Sequence, residues 1–98
     1  MSSLEDQFEI LERKSELLKT LGHPLRLAIA ELLSQRGSLN VTEIHTTLEV
    51  EQAVASHHLR ILKNGGVVQA RKDAKNKIYT LADPRLSDLI RTLAFVDE

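Results

Sequence analysis

The sequence predicts one mostly helical domain carrying a small β-hairpin. Three observations predict it. Apolar residues recur at helical spacing along most of the chain, as in Leu4, Phe8, Leu11 and Leu18. Two runs rich in strand-forming residues, 67–72 and 77–81, flank Asp73-Ala74-Lys75-Asn76, which has turn chemistry. The chain has 98 residues, 42% hydrophobic and 28% charged, the balance of a single globular domain (1–98). A domain this small has little core to spare and often gains more by dimerising.

The elements follow in order. Leu4, Phe8, Leu11 and Leu18, with Leu17 and Leu21 beside them, predict an amphipathic helix over residues 4–21. Gly22 ends it, and His23-Pro24 starts a second helix, because proline suits a first helical turn. Leu25, Ile29, Leu32 and Leu33 give that helix one apolar face, and Gln35-Arg36-Gly37-Ser38 breaks it. Leu39-Asn40-Val41 reads as a short extended piece, after which Thr42 caps a third helix, Glu43–Leu48. Glu49-Val50-Glu51 is a tight connection to a fourth helix, Gln52 to Lys63, stopped by Asn64-Gly65-Gly66. The two strands come next. Asp83-Pro84 then opens a last helix over 84–96, with Leu86, Leu89, Ile90 and Leu93 on one side. Helix, helix, short strand, helix, tight turn, helix, hairpin, helix describes a winged helix-turn-helix. The helix-turn-helix occupies 42–64 and the wing 67–81.

Composition removes several classes of function. There is no cysteine, so disulfides, thiol chemistry and thiolate metal sites are excluded. No apolar run approaches the ~18 residues of a membrane span. The first residues lack a basic region ahead of an apolar core, so no secretory signal is read there, and a cytoplasmic protein that does not engage membranes is expected. A net charge of −1 conceals an asymmetry: residues 4–16 hold five acids and two bases, residues 56–80 six bases and one acid. That local excess is the footprint of a polyanion-binding face, although a merely solvated basic face would look the same.

The fourth helix separates its two neighbouring histidines. At about 100° per residue, Ile61, Val54, Leu62, Ala55 and Leu59 fall in an arc of roughly 160°, with His58 near its middle. Lys63, Ser56, Arg60, Ala53, Asn64 and His57 fall opposite, with Gln52 at the edge. The two rings cannot clamp a metal together, which needs i,i+3 or i,i+4 spacing. His58 is expected in the core with one ring nitrogen hydrogen-bonded to backbone or a neighbouring helix. Gln52, Ala53, Ser56, His57, Arg60 and Lys63 form an exposed face of small residues, base-reading groups and cations suited to DNA.

These segments together resemble the ArsR/SmtB winged-helix transcriptional regulators. The resemblance rests on Leu21-Gly22-His23-Pro24-Leu25-Arg26-Leu27, Leu39-Asn40-Val41-Thr42-Glu43-Ile44, the run from Val54 to Val68, and the hairpin ending in Ile78-Tyr79-Thr80-Leu81. It covers about residues 17–93. It implies a homodimeric repressor that binds double-stranded operator DNA at an inverted repeat. The first and last helices would form the dimer interface through Leu4, Phe8, Leu11, Leu18, Leu86, Leu89, Ile90 and Leu93. Thr42 would join the DNA contacts, and Arg71, Lys72, Lys75 and Lys77 of the wing would lie along flanking backbone or minor groove.

The chain departs from the family's sensors. Cysteine-based sites near the third helix have only His45 to match them, and oxidant- or persulfide-sensing cysteine pairs are absent. Asp83 matches the acid of a last-helix metal site, but Arg85 and Val96 stand at the partner positions. No metal or cofactor is therefore expected, and His23 and His45 are read as surface or helix-end residues. Glu51 stands where many members have serine; it suits a helix N-terminus and can accept from a cytosine amino group. A small organic inducer, or none, fits the cysteine-free sequence better than a metal sensed through an atypical site. No nucleophile–base pair, paired carboxylates, phosphate loop or HExxH spacing points to an enzyme. A winged-helix module that binds another protein is the rival reading; steep salt dependence of DNA binding would separate the two.

Overall fold

The computed structural model describes residues 3–97. Helix α1 (Leu4–Leu21) and α2 (Pro24–Arg36) lead to a short strand β1 (Ser38–Asn40), then α3 (Val41–Leu48) and α4 (Gln52–Asn64). Strands β2 (Val68–Asp73) and β3 (Asn76–Leu81) form the wing, and α5 (Pro84–Thr92) continues as a single 3-10 segment, Leu93–Asp97. The predicted winged helix-turn-helix is the observed architecture.

Caps explain most boundaries. The Asp6 amide donates to Ser3 Oγ at 3.1 Å, and Glu5 and Asp6 place negative charge in the first turn of α1. At α2, His23 Nδ1 accepts the Leu25 amide at 3.0 Å, with Pro24 in the first turn. That helix runs through the predicted break as far as Arg36 and stops at Gly37, whose φ of 88° favours glycine.

Two further helix boundaries differ from the sequence reading by more than one residue, each for a clear physical reason. The cap of α3 is Asn40, not Thr42. Glu43 N–H donates to Asn40 Oδ1 at 2.8 Å, and Asn40 N–H donates to Glu43 Oε1 at 3.0 Å. This reciprocal box satisfies two amide donors, where a Thr42 cap would satisfy one. Thr42 therefore lies inside the first turn, exposed, its carbonyl accepting the Thr46 hydroxyl. The last α-helix ends at Thr92 rather than 96, and Leu93 becomes its C-cap as the chain tightens into 3-10 geometry.

The wing is not a free hairpin. β3 is the middle of a three-stranded antiparallel sheet, order β1-β3-β2, with Leu39 opposite Tyr79 and Ala70 opposite Tyr79 on the other side. Each arm of the hairpin runs one residue further towards the turn than predicted, since Asp73 pairs with Asn76 across a two-residue turn, while β2 starts at Val68 rather than Val67. Ala74 takes the left-handed conformation there, at φ 57°.

The core is built from α2, α3, α4, the sheet and α5. Ile29, Leu33, Ile44, Leu59, Leu62 and Val67 are fully buried. Each such side chain contributes roughly 1.5–3 kcal/mol relative to exposure. The first helix is the exception: of its residues only Leu21 is buried, with Leu17 packed partly against the core. Its C-terminal end nevertheless meets α4 closely, since a Cβ on Gly65 would collide with the Thr20 side chain.

Candidate nucleic-acid interface

The turn before α4 fixes how that helix is presented. Glu49 closes α3 in the left-handed conformation at φ 57°. The Val50 amide donates to the His45 carbonyl at 3.0 Å, and His45 Nδ1 lies 3.1 Å from the Val50 carbonyl, so His45 donates to it. His45 is thus a turn-holding residue. Glu51 caps α4 through its backbone alone: its carbonyl accepts from Val54 and Ala55, and its exposed side chain makes no cap hydrogen bond.

Ala55, His58, Leu59 and Leu62 are the buried residues of α4. On a helical wheel they span about 100°, narrower than the predicted arc. Val54 and Ile61 lie beyond one edge of it, on the His58 side. Val54 is 39% exposed and Ile61 half-buried, which corrects the placement of Val54 in the core beside His58. The opposite face matches the prediction: Gln52, Ala53, His57, Arg60 and Lys63 are exposed, and Ser56 is half-buried.

The fold then brings α4 and the wing together. Ser56, Arg60, Lys63 and Asn64 of α4 and Lys77 and Tyr79 of β3 line a groove of about 340 Å³, completed by Val41 and Leu59. A second concavity, about 530 Å³, lies on the wing and is lined by Ala70, Arg71, Lys72, Lys75, Asn76 and Lys77. Lys77 belongs to both. Gln52, Ala53, His57 and Thr42 are outside these grooves. Asn64, on the predicted polar arc, joins the expected DNA-contacting set, and Tyr79 is a residue that the sequence does not point to, because nothing in helical or strand periodicity puts one end of α4 against the middle strand.

Positive charge is concentrated on this surface, since residues 56–80 hold six bases and one acid. Lys19, Arg85 and Arg91 are paired with Glu16, Asp83 and Asp88. Among the described residues, Arg60, Lys63, Arg71, Lys72, Lys75 and Lys77 form no ion pair. Moreover, Lys72 and Lys77 stand directly opposite each other across the β2–β3 ladder. Like charges in that register are destabilising until an anion lies between or above them.

His58 fills the predicted inner position. Arg26 Nη1 of α2 lies 3.3 Å from its Nδ1, and Arg26 Nε donates to the Thr20 carbonyl at 2.6 Å. The ring also packs on His23, centroids 4.5 Å apart, and edge-on to His57 at 5.1 Å. Burial, then the neighbouring His23, Arg26 and His57, push the His58 ring below its ordinary value and favour its neutral form.

The remaining candidates separate clearly. Asp83 caps α5 and is gripped by Arg85, whose Nη2 lies 2.7 Å from Oδ2; these hydrogen bonds hold its carboxyl at about 2. Its oxygens are thereby committed to a guanidinium. Among the described residues no group of three or more histidines and acids is placed to hold a metal. Leu4, Phe8, Leu11 and Leu18 are 82%, 61%, 58% and 62% exposed. Leu86 and Ile90, expected on the dimer face, are buried in the protomer's own core and have almost no side-chain surface to offer a partner. Leu89 and Leu93 are half-buried. The sequence reading missed exposed Phe95 beside Val96 in the 3-10 segment, because that segment was read as more helix. No described helix is long and apolar enough to cross a membrane.

Known proteins share this sequence pattern and fold. Residues 23–70 match the bacterial regulatory protein, arsR family. An uncharacterised HTH-type transcriptional regulator of Methanocaldococcus jannaschii is 40% identical over 90 residues, covering 92% of this chain and 98% of that one. The crystal structure of the transcriptional repressor PagR of Bacillus anthracis superimposes with a TM-score of 0.81 at 32% identity, over 88% of this chain and 98% of PagR. A homodimeric winged helix-turn-helix DNA-binding domain from Mycobacterium bovis gives a TM-score of 0.85 at 28% identity, over 99% of this chain and 89% of that one. By sequence and by fold, the chain belongs to the arsR family of bacterial regulatory proteins, a family of DNA-binding transcriptional regulators and not of enzymes.

Proposed function

We propose that the chain is a homodimeric repressor that binds an inverted-repeat operator in double-stranded DNA. The observation that carries this reading is the set of six unpaired bases around the two grooves, continuous with the polar face of α4. In a major groove, Gln52, His57 and Arg60 have the chemistry to read base edges, and Ala53 and Ser56 permit close approach. Lys63 and Lys77 line one groove from two elements and would grip a phosphate there, and Thr42 would offer a further hydroxyl to the backbone. Arg71, Lys72 and Lys75 extend the contact along flanking backbone or minor groove.

Dimerisation follows from the face that α1 leaves uncovered. Leu4, Phe8, Leu11 and Leu18, with Leu89, Leu93, Phe95 and Val96 near the C-terminal end, are the apolar surface a second copy would bury. Two copies of α4 would enter successive major grooves about 34 Å apart. A cytoplasmic location fits such a role. Affinity measured against salt tests the reading. Five phosphate-contacting cations per protomer, ten in a dimer, predict a steep fall of affinity with salt, a factor of about 10³ or more between 50 and 200 mM. Binding to duplex DNA that is weak at every salt concentration, or insensitive to it, would overturn the reading.

A further inference from the structure

Two contacts tie the reading helix to α1. Thr20, at the end of α1, packs against Gly65 at the end of α4. Arg26, half-buried on α2, reaches both ways: its Nε donates to the Thr20 carbonyl and its Nη1 meets His58 Nδ1 on the buried side of α4. Because α1 has only one buried residue of its own, with Leu17 packed partly against the core, this polar bridge adds to the few contacts that hold it against α4. If α1 is the dimer helix, its angle to α4 sets the spacing of the two reading heads.

The bridge has one chemical requirement. Arginine carries only donors, so His58 Nδ1 must offer a lone pair, which leaves its proton on Nε2. A second proton, placed on Nδ1, would turn the acceptor into a donor and set two cations against each other. The charged and titratable groups that bear on His58 are His23 and Arg26 from α2 and His57 from its own helix. From α1 only the Thr20 carbonyl takes part, and among the described residues no carboxylate pairs with the ring. His23 is likewise committed as an acceptor, through its cap to the Leu25 amide.

We propose that Arg26 is a positioning residue for DNA recognition, bridging the end of α1 to α4 through an unprotonated His58, so that acidification releases the reading helix. This rests on the DNA-binding reading above. The test uses full-length protein and a duplex that the wild type selects from random-sequence DNA, with affinity measured at constant ionic strength. Glutamine at 58 keeps an acceptor and does not titrate, while His57 and His23 are common to both proteins. Between about pH 7.5 and about pH 5, the wild type should weaken about tenfold relative to His58→Gln. Parallel pH profiles would overturn the proposal. Arg26→Met should weaken binding to the selected duplex about tenfold at about pH 7.5, and unchanged binding would also overturn it. Should Arg26→Met fail to fold, the His58→Gln comparison decides alone. The ¹⁵N signal of His58 Nδ1, read without DNA, separates the two levels. An unprotonated, hydrogen-bonded Nδ1 in a protein that selects no duplex would sink the DNA-binding reading while leaving the bridge intact. A protonated Nδ1 at about pH 7.5 would refute the bridge itself.

Discussion

Helices α1 and α4 are both amphipathic, and they use that property in opposite ways. α4 buries Ala55, His58, Leu59 and Leu62 inside its own protomer and leaves Gln52, His57, Arg60 and Lys63 in solvent. α1 buries only Leu21 and leaves Leu4, Phe8, Leu11 and Leu18 in solvent. Periodicity alone marks both as helices with an inside and an outside. What differs is whether the inside is filled by the same chain. A helix whose apolar stripe is already satisfied is free to present its polar face rigidly to a ligand. A helix whose stripe is unsatisfied is a surface for association.

Substitutions should divide along that line. The largest effect is expected from Leu59→Ala on the inner face of α4. It removes a fully buried side chain and should lower unfolding stability by about 2–5 kcal/mol, read by denaturant titration. Next comes Phe8→Asp on α1. It should leave the protomer folded by circular dichroism but weaken self-association about 100-fold, ~2.7 kcal/mol, in sedimentation experiments. A loss of helical signal instead would mean that α1 is held by its own protomer more than its exposure indicates.

On the outer face of α4, Arg60→Ala should weaken binding to a selected duplex by about 1–3 kcal/mol and relax preference at one base position. Lys77→Ala, in the wing, should weaken all sequences alike and reduce the salt slope by about 1. Equal loss of sequence preference in both variants would erase the distinction between reading helix and phosphate-contacting wing.

The smallest effect is a pH dependence of stability. The native state favours neutral His58, so below the ordinary value of 6.5 the unfolded chain takes up a proton that the folded chain refuses. Stability should be complete above that value and decline as pH falls through the lowered native one, and His58→Gln should flatten the decline in thermal melts. A separate step belongs to half-buried Asp83, whose contribution is present above 3.8 and lost as pH falls towards about 2.

Much of the fold was legible because glycine and proline punctuate it. Gly22 and Pro24, Gly65, and Pro84 each sit at an element boundary, and helical spacing fills the intervals. The face of α4 was legible because it depends on a period and nothing else. The start of α3 was not, since Asn40 and Thr42 are both good caps and only the return bond from Glu43 decides between them. Leu86 and Ile90 were misplaced for a deeper reason. A helical period groups them with Leu89 and Leu93, but it does not say whether the facing surface belongs to α2 of the same chain or to a second copy. The Arg26 bridge was invisible because it joins residues 20, 26 and 58 across three helices, with no periodic signature.

Selection of bound sequences from a pool of random duplex DNA tests the central claim most directly. Two symmetry-related copies of α4 predict enrichment of an inverted repeat whose half-sites are centred about 10 base pairs, or a multiple of that, apart. Recovery of a pool no different from the input, or of a single unrepeated half-site bound by a monomer, would contradict a homodimer that reads DNA through α4.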